Sequence, residues 1–329
     1  MRNNITPVEE DTVDIGLMVE GQNGLTWERW SHILALAEEL KFPSVFRSDH
    51  YVIGTYKQSL EAYLSFVVAA KETSTIRFGP LVTPLTFRSP VDIGRMAAQI
   101  DELSGGRFVM GLGAGWHEPE HLAYGIRFPP VRERFDRLDE GINVIQALWS
   151  EGPASYKGKF YEVDGVDCLP KPTSGGAPIL IGGAGEKRTL ALVAKYASEW
   201  NCVNATPEVY AHKKAVLEKH CETIGRDPAT IKRSMMVFGL MGPTKQALDD
   251  VTRRFKDSSP ANQSISIEEF QARSRERGMI VGQTEEVLDR LGQLAELGLE
   301  EVEFEHLNYD SDEGPRYLAS DIAPKVAAL

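Results

Sequence analysis

The sequence is short of the residues that build covalent or metal-held frameworks. Its 329 residues include only three cysteines: Cys168, Cys202 and Cys221 are widely spaced with no CxxC pair, which argues against both a disulfide framework and a zinc site. Positive charge is scarce as well. Thirty-six Lys and Arg stand against 48 Asp and Glu, a net charge of −12, and this disfavours nucleic acid and anionic membrane surfaces as partners. No apolar run approaches the length of a membrane helix. Met1 to Thr12 is polar, with neither an apolar h-region nor a cleavage-site pattern. A soluble cytoplasmic protein without a bound metal is the expectation. Arg132, Arg134 and Arg137 alternate with Glu133, Asp136, Asp139 and Glu140, the pattern of a solvated, salt-bridged helix face.

What is present is a repeating alternation of short apolar runs with stretches of helical spacing, the mark of successive βα units. The strands read as Val13–Val19, Ser44–Arg47, Ile76–Thr83, Arg107–Leu112, Pro178–Ile181, Glu199–Val203, Met235–Met241 and Glu301–His306. Between them lie helices, among them one capped by Thr26 and carrying Trp27, Trp30, Ile33, Leu34, Ala37 and Leu40, and one with Pro90 in its first turn. Two irregular stretches, 152–176 and 242–278, read as insertions, the second placed over the barrel mouth. The last strand alternates Glu with Val, Phe and His, an acidic phase that implies partial exposure. Eight strands without a compositional break favour one (β/α)₈ TIM barrel spanning 1–329. The alternative, a doubly wound open sheet, lacks the GxGxxG turn after its first strand.

In such a barrel the chemistry lies on loops that follow the strand C-termini. Three loops qualify. Ser48-Asp49-His50 follows strand two, where an imidazole passes protons and a carboxylate orients it, although neighbours on an extended strand face opposite ways unless the chain bends. Gly111-Leu112-Gly113-Ala114-Gly115-Trp116-His117 follows strand four and gives a flat ligand close backbone approach and a stacking face. Gly182-Gly183-Ala184-Gly185-Glu186-Lys187-Arg188 follows strand five and opens a helix, which favours an anion. Together they suit a coenzyme with a planar ring and a phosphate-bearing tail, the ring by Trp116 and His50. Gln22 and His117 are further candidates for proton transfer.

At these residues the chain resembles the luciferase-like oxidoreductases, and in particular their branch that uses the deazaflavin coenzyme F420. The stretches that carry the resemblance are SVFRSDHY at 44–51, GPLVTPLTFRSP at 79–90, SGGRFVMGLGAGWHEPEHLAYGIRFPPVRERFDRLDEG at 104–141 and PILIGGAGEKRTLALVAKYASEWN at 178–201. The resemblance implies a barrel with insertions, dimeric as a rule, with Asp49 and His50 at the ring edge and His50 as the proton-transfer residue. It implies a non-prolyl cis peptide between Leu81 and Val82, next to Thr83, against the ring. Gly113 to His117 and Gly182 to Arg188 would bind ring and phosphate, with Trp200 and Asn201 nearby. Bacterial luciferases carry a phosphate-binding arginine where this chain has Ala114, and deazaflavin-dependent sugar-phosphate dehydrogenases a glutamate where it has Trp116. Reduction of a small organic substrate by reduced F420 is therefore the expected activity. The alternatives are an FMN-dependent monooxygenase fed by a separate reductase, and a barrel that only binds its coenzyme, which sits less well with the Asp49-His50 pair.

Overall fold

The computed structural model describes residues 13–53 and 58–327; the N-terminal stretch Met1 to Thr12 lies outside them. Eight barrel strands follow in chain order: β1 (Asp14–Val19), β2 (Ser44–Arg47), β3 (Arg77–Pro80), β4 (Met110–Gly113), β5 (Ile179–Gly182), β6 (Glu199–Val203), β7 (Lys232–Val237) and β8 (Glu301–His306). All their pairings are parallel, and β8 lies between β1 and β7. The ring closes through a divided third strand. Residues Arg77–Pro80 pair with β2, and after the bulge at Leu81-Val82 the short piece Thr83–Pro84 pairs with β4. Glycine makes this closure possible, since a Cβ at Gly79 would stand 1.9 Å from the Val109 carbonyl oxygen and one at Gly111 1.8 Å from that of Pro80. The fold is thus the TIM barrel expected from the sequence.

The helices form where the spacing places them. Thr26 accepts a hydrogen bond from the Arg29 amide and starts the helix Trp27–Leu40, whose Trp30, Ile33, Leu34 and Ala37 are buried while Trp27 is exposed. Ser89 caps the helix Pro90–Ser104. On the helix Val131–Trp149, the charged face has one exception: Arg134 is buried, its guanidinium over the Phe128 ring and donating to the Pro129 carbonyl at 2.6 Å. Outward-facing strand residues and inward-facing helix residues make one continuous apolar layer around the barrel. Among the described residues no helix is long and apolar enough to cross a membrane.

Both insertions have structure. Ala154–Lys157 and Glu162–Val166 form an antiparallel hairpin with Lys159 in its turn. The apolar run Met235–Met241 is not one strand. It breaks at Phe238, whose amide donates to Asn204 Oδ1, and resumes as Gly239–Gly242 in a separate parallel pair with Ile280–Gln283. Between these two strands the helices Lys245–Asp257 and Ile267–Glu276 pack on a small core of Leu240, Leu248, Phe270, Met279 and Val281. A capping box joining Gln283 and Glu286 starts the next helix, which places Thr284 just inside it.

The acidic phase of β8 is buried, not partly exposed. Glu301 and Glu303 are fully enclosed inside the barrel. Arg77 bridges Glu301 (2.9 Å) and Glu199 (2.6 Å), Lys232 pairs with Glu301 (2.6 Å), and Ser44 also donates to Glu301. Ser234 donates to Glu199 (2.7 Å) and Asn201 to both Ser234 (2.9 Å) and Glu303 (3.0 Å). Gly16 makes room for this layer, since a Cβ there would meet Ser44 Oγ at 2.2 Å. Burial, reinforced by Glu301 and Glu199, raises the pKa of Glu303 well above the ordinary glutamate value, and its Oε1 has no partner among the described residues. A raised folded-state pKa means that native Glu303 keeps a proton the unfolded chain gives up. Stability is therefore lost as pH rises from the ordinary glutamate range toward the native value. Glu303→Gln removes this dependence: its advantage in urea denaturation over the natural protein is expected to be small near pH 4 and to grow toward pH 8. A constant or shrinking difference would show that Glu303 is ionised in the folded protein.

Candidate functional site

A cavity of about 1560 Å³ opens at the C-terminal ends of the strands. Its floor is apolar, with Met18, Phe46, Leu81, Val109 and Leu180 clustered inside the barrel and Val82 and Met236 against them. The peptide between Leu81 and Val82 is cis, at the bond where the family resemblance places it. Val82 occupies the space above three glycines: a Cβ at Gly111, Gly113 or Gly182 would fall 3.3, 2.7 or 2.9 Å from its methyl carbons. The result is a flat apolar shelf in a polar rim.

His50 lines the cavity and is held from behind. Its Nδ1 lies 2.7 Å from Glu120 Oε1, while Glu120 Oε2 accepts from the Tyr51 amide at 3.0 Å. Glu120 is fully buried on the short helix Glu118–Ala123. The contact with Glu120 fixes the ring through Nδ1, and Nε2 has no protein partner among the described residues. Trp116, 66% exposed, stands edge-on to the imidazole with ring centroids 5.6 Å apart.

Asp49 makes no hydrogen bond to His50 among the described residues. It points the opposite way, as adjacent residues of an extended chain do, and is buried in a separate network. Arg88 donates to both its oxygens (2.6 and 3.1 Å) and Thr83 Oγ1 to one of them (2.8 Å). This pair holds the Arg88 guanidinium firmly protonated, its pKa raised although burial pulls the other way. Asp49 and Thr83 thereby fasten the end of β2 to the continuation of β3, behind the cavity wall. The orienting carboxylate for His50 is Glu120, which spacing alone did not single out because three glutamates, at 118, 120 and 133, fall on or near that loop.

Of the other sequence candidates, Leu81, Val82, Gly115, Trp116, Gly182, Gly183 and Asn201 line the cavity with His50. Gly113 is buried and Ala114 half-buried, neither of them lining the cavity, and His117 is the N-terminal flank of the helix Glu118–Ala123, its carbonyl 2.8 Å from His121 Nδ1. Trp200 is on the outer face of β6, fully buried, stacked on Tyr210 and donating through its indole N–H to the Gly183 carbonyl (2.8 Å). It steadies the loop from outside. Gly183 has φ of 110° and its amide donates to the Asn201 carbonyl (2.8 Å). The next amides, of Ala184 and Gly185, have no protein acceptor among the described residues. Arg188 turns to the helix Val131–Trp149, pairing with Asp136 over the Phe135 ring, and Lys187 is exposed outside the cavity. Any anion at this loop therefore meets backbone amides rather than these two side chains.

The opposite wall was foreseen only at Gln22, at Ser48 and in the insertion over the mouth. Glu20, Gln22 and Ser48 follow β1 and β2, Glu305 and His306 end β8, and the insertion adds Phe238, Leu240, Val251, Arg254 and Phe255. Burial keeps His306 neutral, lowering its pKa to about 4.

The comparisons agree with this architecture. A family model described as luciferase-like monooxygenase matches residues 14–301. The pyrimidine monooxygenase RutA of Escherichia coli is 31% identical over 189 residues, 55% of this chain and 51% of that protein. The chain spans about half the length of the curated relatives it matches. Two solved structures share the fold over nearly the whole chain. One is an F420-dependent secondary alcohol dehydrogenase in complex with an F420-acetone adduct (TM-score 0.79, 20% identity, 96% of this chain and 99% of that one). The other is the monooxygenase RslO1 from Streptomyces bottropensis (TM-score 0.80, 18% identity, 95% and 99%).

The assignment of Asp49 to the scaffold carries a stability test. Arg88→Met strands a buried carboxylate beside Thr83, and loss of a buried pair of this kind costs about 3–5 kcal/mol. Denaturant titration is expected to show a loss of that size. A change within about 0.5 kcal/mol, the range for an unremarkable surface site, would mean that Asp49 is solvated and free to serve the cavity.

Proposed function

The chain belongs to the luciferase-like monooxygenase family, and on that premise we propose that it is an oxidoreductase that binds reduced coenzyme F420 in the barrel mouth and reduces a small organic substrate. The observation that carries the reading is His50, fixed by the buried Glu120 with Nε2 turned to the cavity beside the apolar shelf of Leu81 and Val82. The residues fit a flavin-like ring. The shelf is flat where Val82 covers Gly111, Gly113 and Gly182, and the amides of Ala184 and Gly185 suit the phosphate of its tail. Bound there, such a coenzyme supplies a hydride. The chain's own part is to hold the ring on the shelf, keep water away with the apolar insertion, and move a proton at His50 Nε2.

Ala114 favours the deazaflavin, because the luciferase resemblance puts a phosphate-binding arginine there. Similarity to RutA favours the second reading, an FMN-dependent monooxygenase served by a separate reductase. In either case Asp49, Thr83 and Trp200 support the site, and Gly115, Trp116, Gly182, Gly183 and Asn201 contact the ligand. A homodimer, as the resemblance implies, remains part of the reading.

Fluorescence titration of the purified protein is expected to show F420 bound at least about tenfold more tightly than FMN, a difference of roughly 1.4 kcal/mol. The reverse order would replace the first reading with the second. Gly183→Ala forces a side chain onto a backbone of positive φ and is expected to weaken coenzyme binding by about tenfold or more with little change in melting temperature. Unchanged affinity would move the phosphate elsewhere. His50→Ala is expected to leave coenzyme affinity within about tenfold and to slow single-turnover reduction of a screened substrate by about 10²–10⁴. An unchanged rate would remove His50 from proton transfer.

A further inference from the structure

Asn201 interrupts the apolar floor of the cavity. It is an inward residue of β6, level in the parallel register with Gly182 of β5 on one side and Ser234 of β7 on the other. The residue is almost wholly buried yet lines the cavity, so it joins the charged layer below to the space above. What it offers upward depends on which end of its amide faces down.

The hydrogen bonds below decide this. Glu199 Oε2 accepts from Arg77 at 2.6 Å, and Glu199 Oε1 accepts the Ser234 hydroxyl at 2.7 Å. A hydroxyl has a single hydrogen, so Ser234 has spent its own and meets Asn201 with lone pairs. The group facing it at 2.9 Å is therefore the amide nitrogen, which also donates to Glu303 Oε2 at 3.0 Å. Both donors of Asn201 are used inside the barrel. Its Oδ1 accepts from no group among the described residues, and it is not sealed from solvent as Glu303 Oε1 is. The adjoining lining residues, Gly182 of β5 and Met236 of β7, carry no side-chain donor. A carbonyl oxygen in such surroundings is costly until water or a ligand donates to it.

We propose that Asn201 is a specificity-determining residue of the cavity, its Oδ1 accepting a hydrogen bond from a neutral N–H or O–H of the bound ligand. The inference rests on the reading of the cavity as a coenzyme and substrate site. Two sources carry that donor chemistry, the imide N–H of a flavin-like ring and the hydroxyl of an alcohol substrate. The amide cannot turn over without giving up its bonds to Ser234 and Glu303. A ligand that brings an acceptor to this point meets an oxygen and is rejected.

NMR of protein labelled in its asparagine side chains tests it, the Asn201 signals being those absent from Asn201→Leu, or from Asn201→Ser if the leucine variant does not fold. In the free protein the Nδ2 hydrogens are expected to exchange slowly with water, being bonded inside the barrel. The probes are FMN, N3-methyl-FMN and F420, followed by cyclohexanol on the coenzyme-loaded protein. At least one of FMN, F420 and cyclohexanol is expected to move the Asn201 carbonyl signal while slow exchange persists. If the coenzyme supplies the donor, FMN or F420 alone moves the signal. In that case N3-methyl-FMN binds about tenfold more weakly than FMN, a gap that closes in the substituted protein. If the substrate supplies it, the signal waits for cyclohexanol. Fast exchange of the Nδ2 hydrogens, or a carbonyl signal that no probe moves although a coenzyme binds, overturns the proposal and leaves the functional reading intact. If neither FMN nor F420 binds, that reading falls first and the subsite with it.

Discussion

The barrel depends on how it fills its own axis with charge. Three carboxyl groups, Glu199, Glu301 and Glu303, meet inside it and face two cations, Arg77 and Lys232. Balance requires one of the three to be neutral, and Glu303, furthest from compensation, carries the proton. Pairing and hydrogen bonding from Ser44, Ser234 and Asn201 tie together five of the eight strands at a level where an apolar plug would serve packing equally well. Removing either cation leaves an uncompensated charge in the interior, so the layer resists piecemeal change. Above it the interior turns apolar at Met18, Phe46, Leu81, Val109 and Leu180, and only above that does the cavity open. The site is thus seated on two rigid tiers.

That stacking explains a division of labour around the rim. Groups that look catalytic by residue type, Asp49 and Arg88 above all, fasten strand ends to one another. Several cavity-lining groups are held by a hydrogen-bond partner: His50 by Glu120, Gln22 by Ser48, the Gly183 loop by Trp200. Orientation from behind of this kind costs nothing when ligand arrives, because the hydrogen bonds already exist.

Much of this was legible in the sequence, and the failures have physical causes. Strand order, the cap at Thr26 and the loops after β2, β4 and β5 follow from periodicity and turn chemistry, which are local. Glu301 and Glu303 were misjudged because alternation reports two faces without saying which faces water; in a closed barrel neither does. Met235 to Met241 reads as one strand because hydrophobicity does not register a change of sheet at Phe238. The partner of His50 lies seventy residues away on a short helix with another glutamate close by, and only the fold chooses between them. Arg188 was expected at an anion because its position in the chain is right, but a helix face carrying Asp136 claims it first.

The segment between β7 and β8 leaves the barrel at Phe238 and returns through a parallel strand pair, folding around apolar residues of its own. Its side chains at 238, 240, 251, 254 and 255 form much of the cavity wall, yet none belongs to the charged layer below. Much of the cavity wall and the charged layer below it are consequently carried by separate stretches of sequence. A lineage can rewrite this cassette, or a designer can exchange it at Phe238 and Gln283, while the barrel that carries it stays the same.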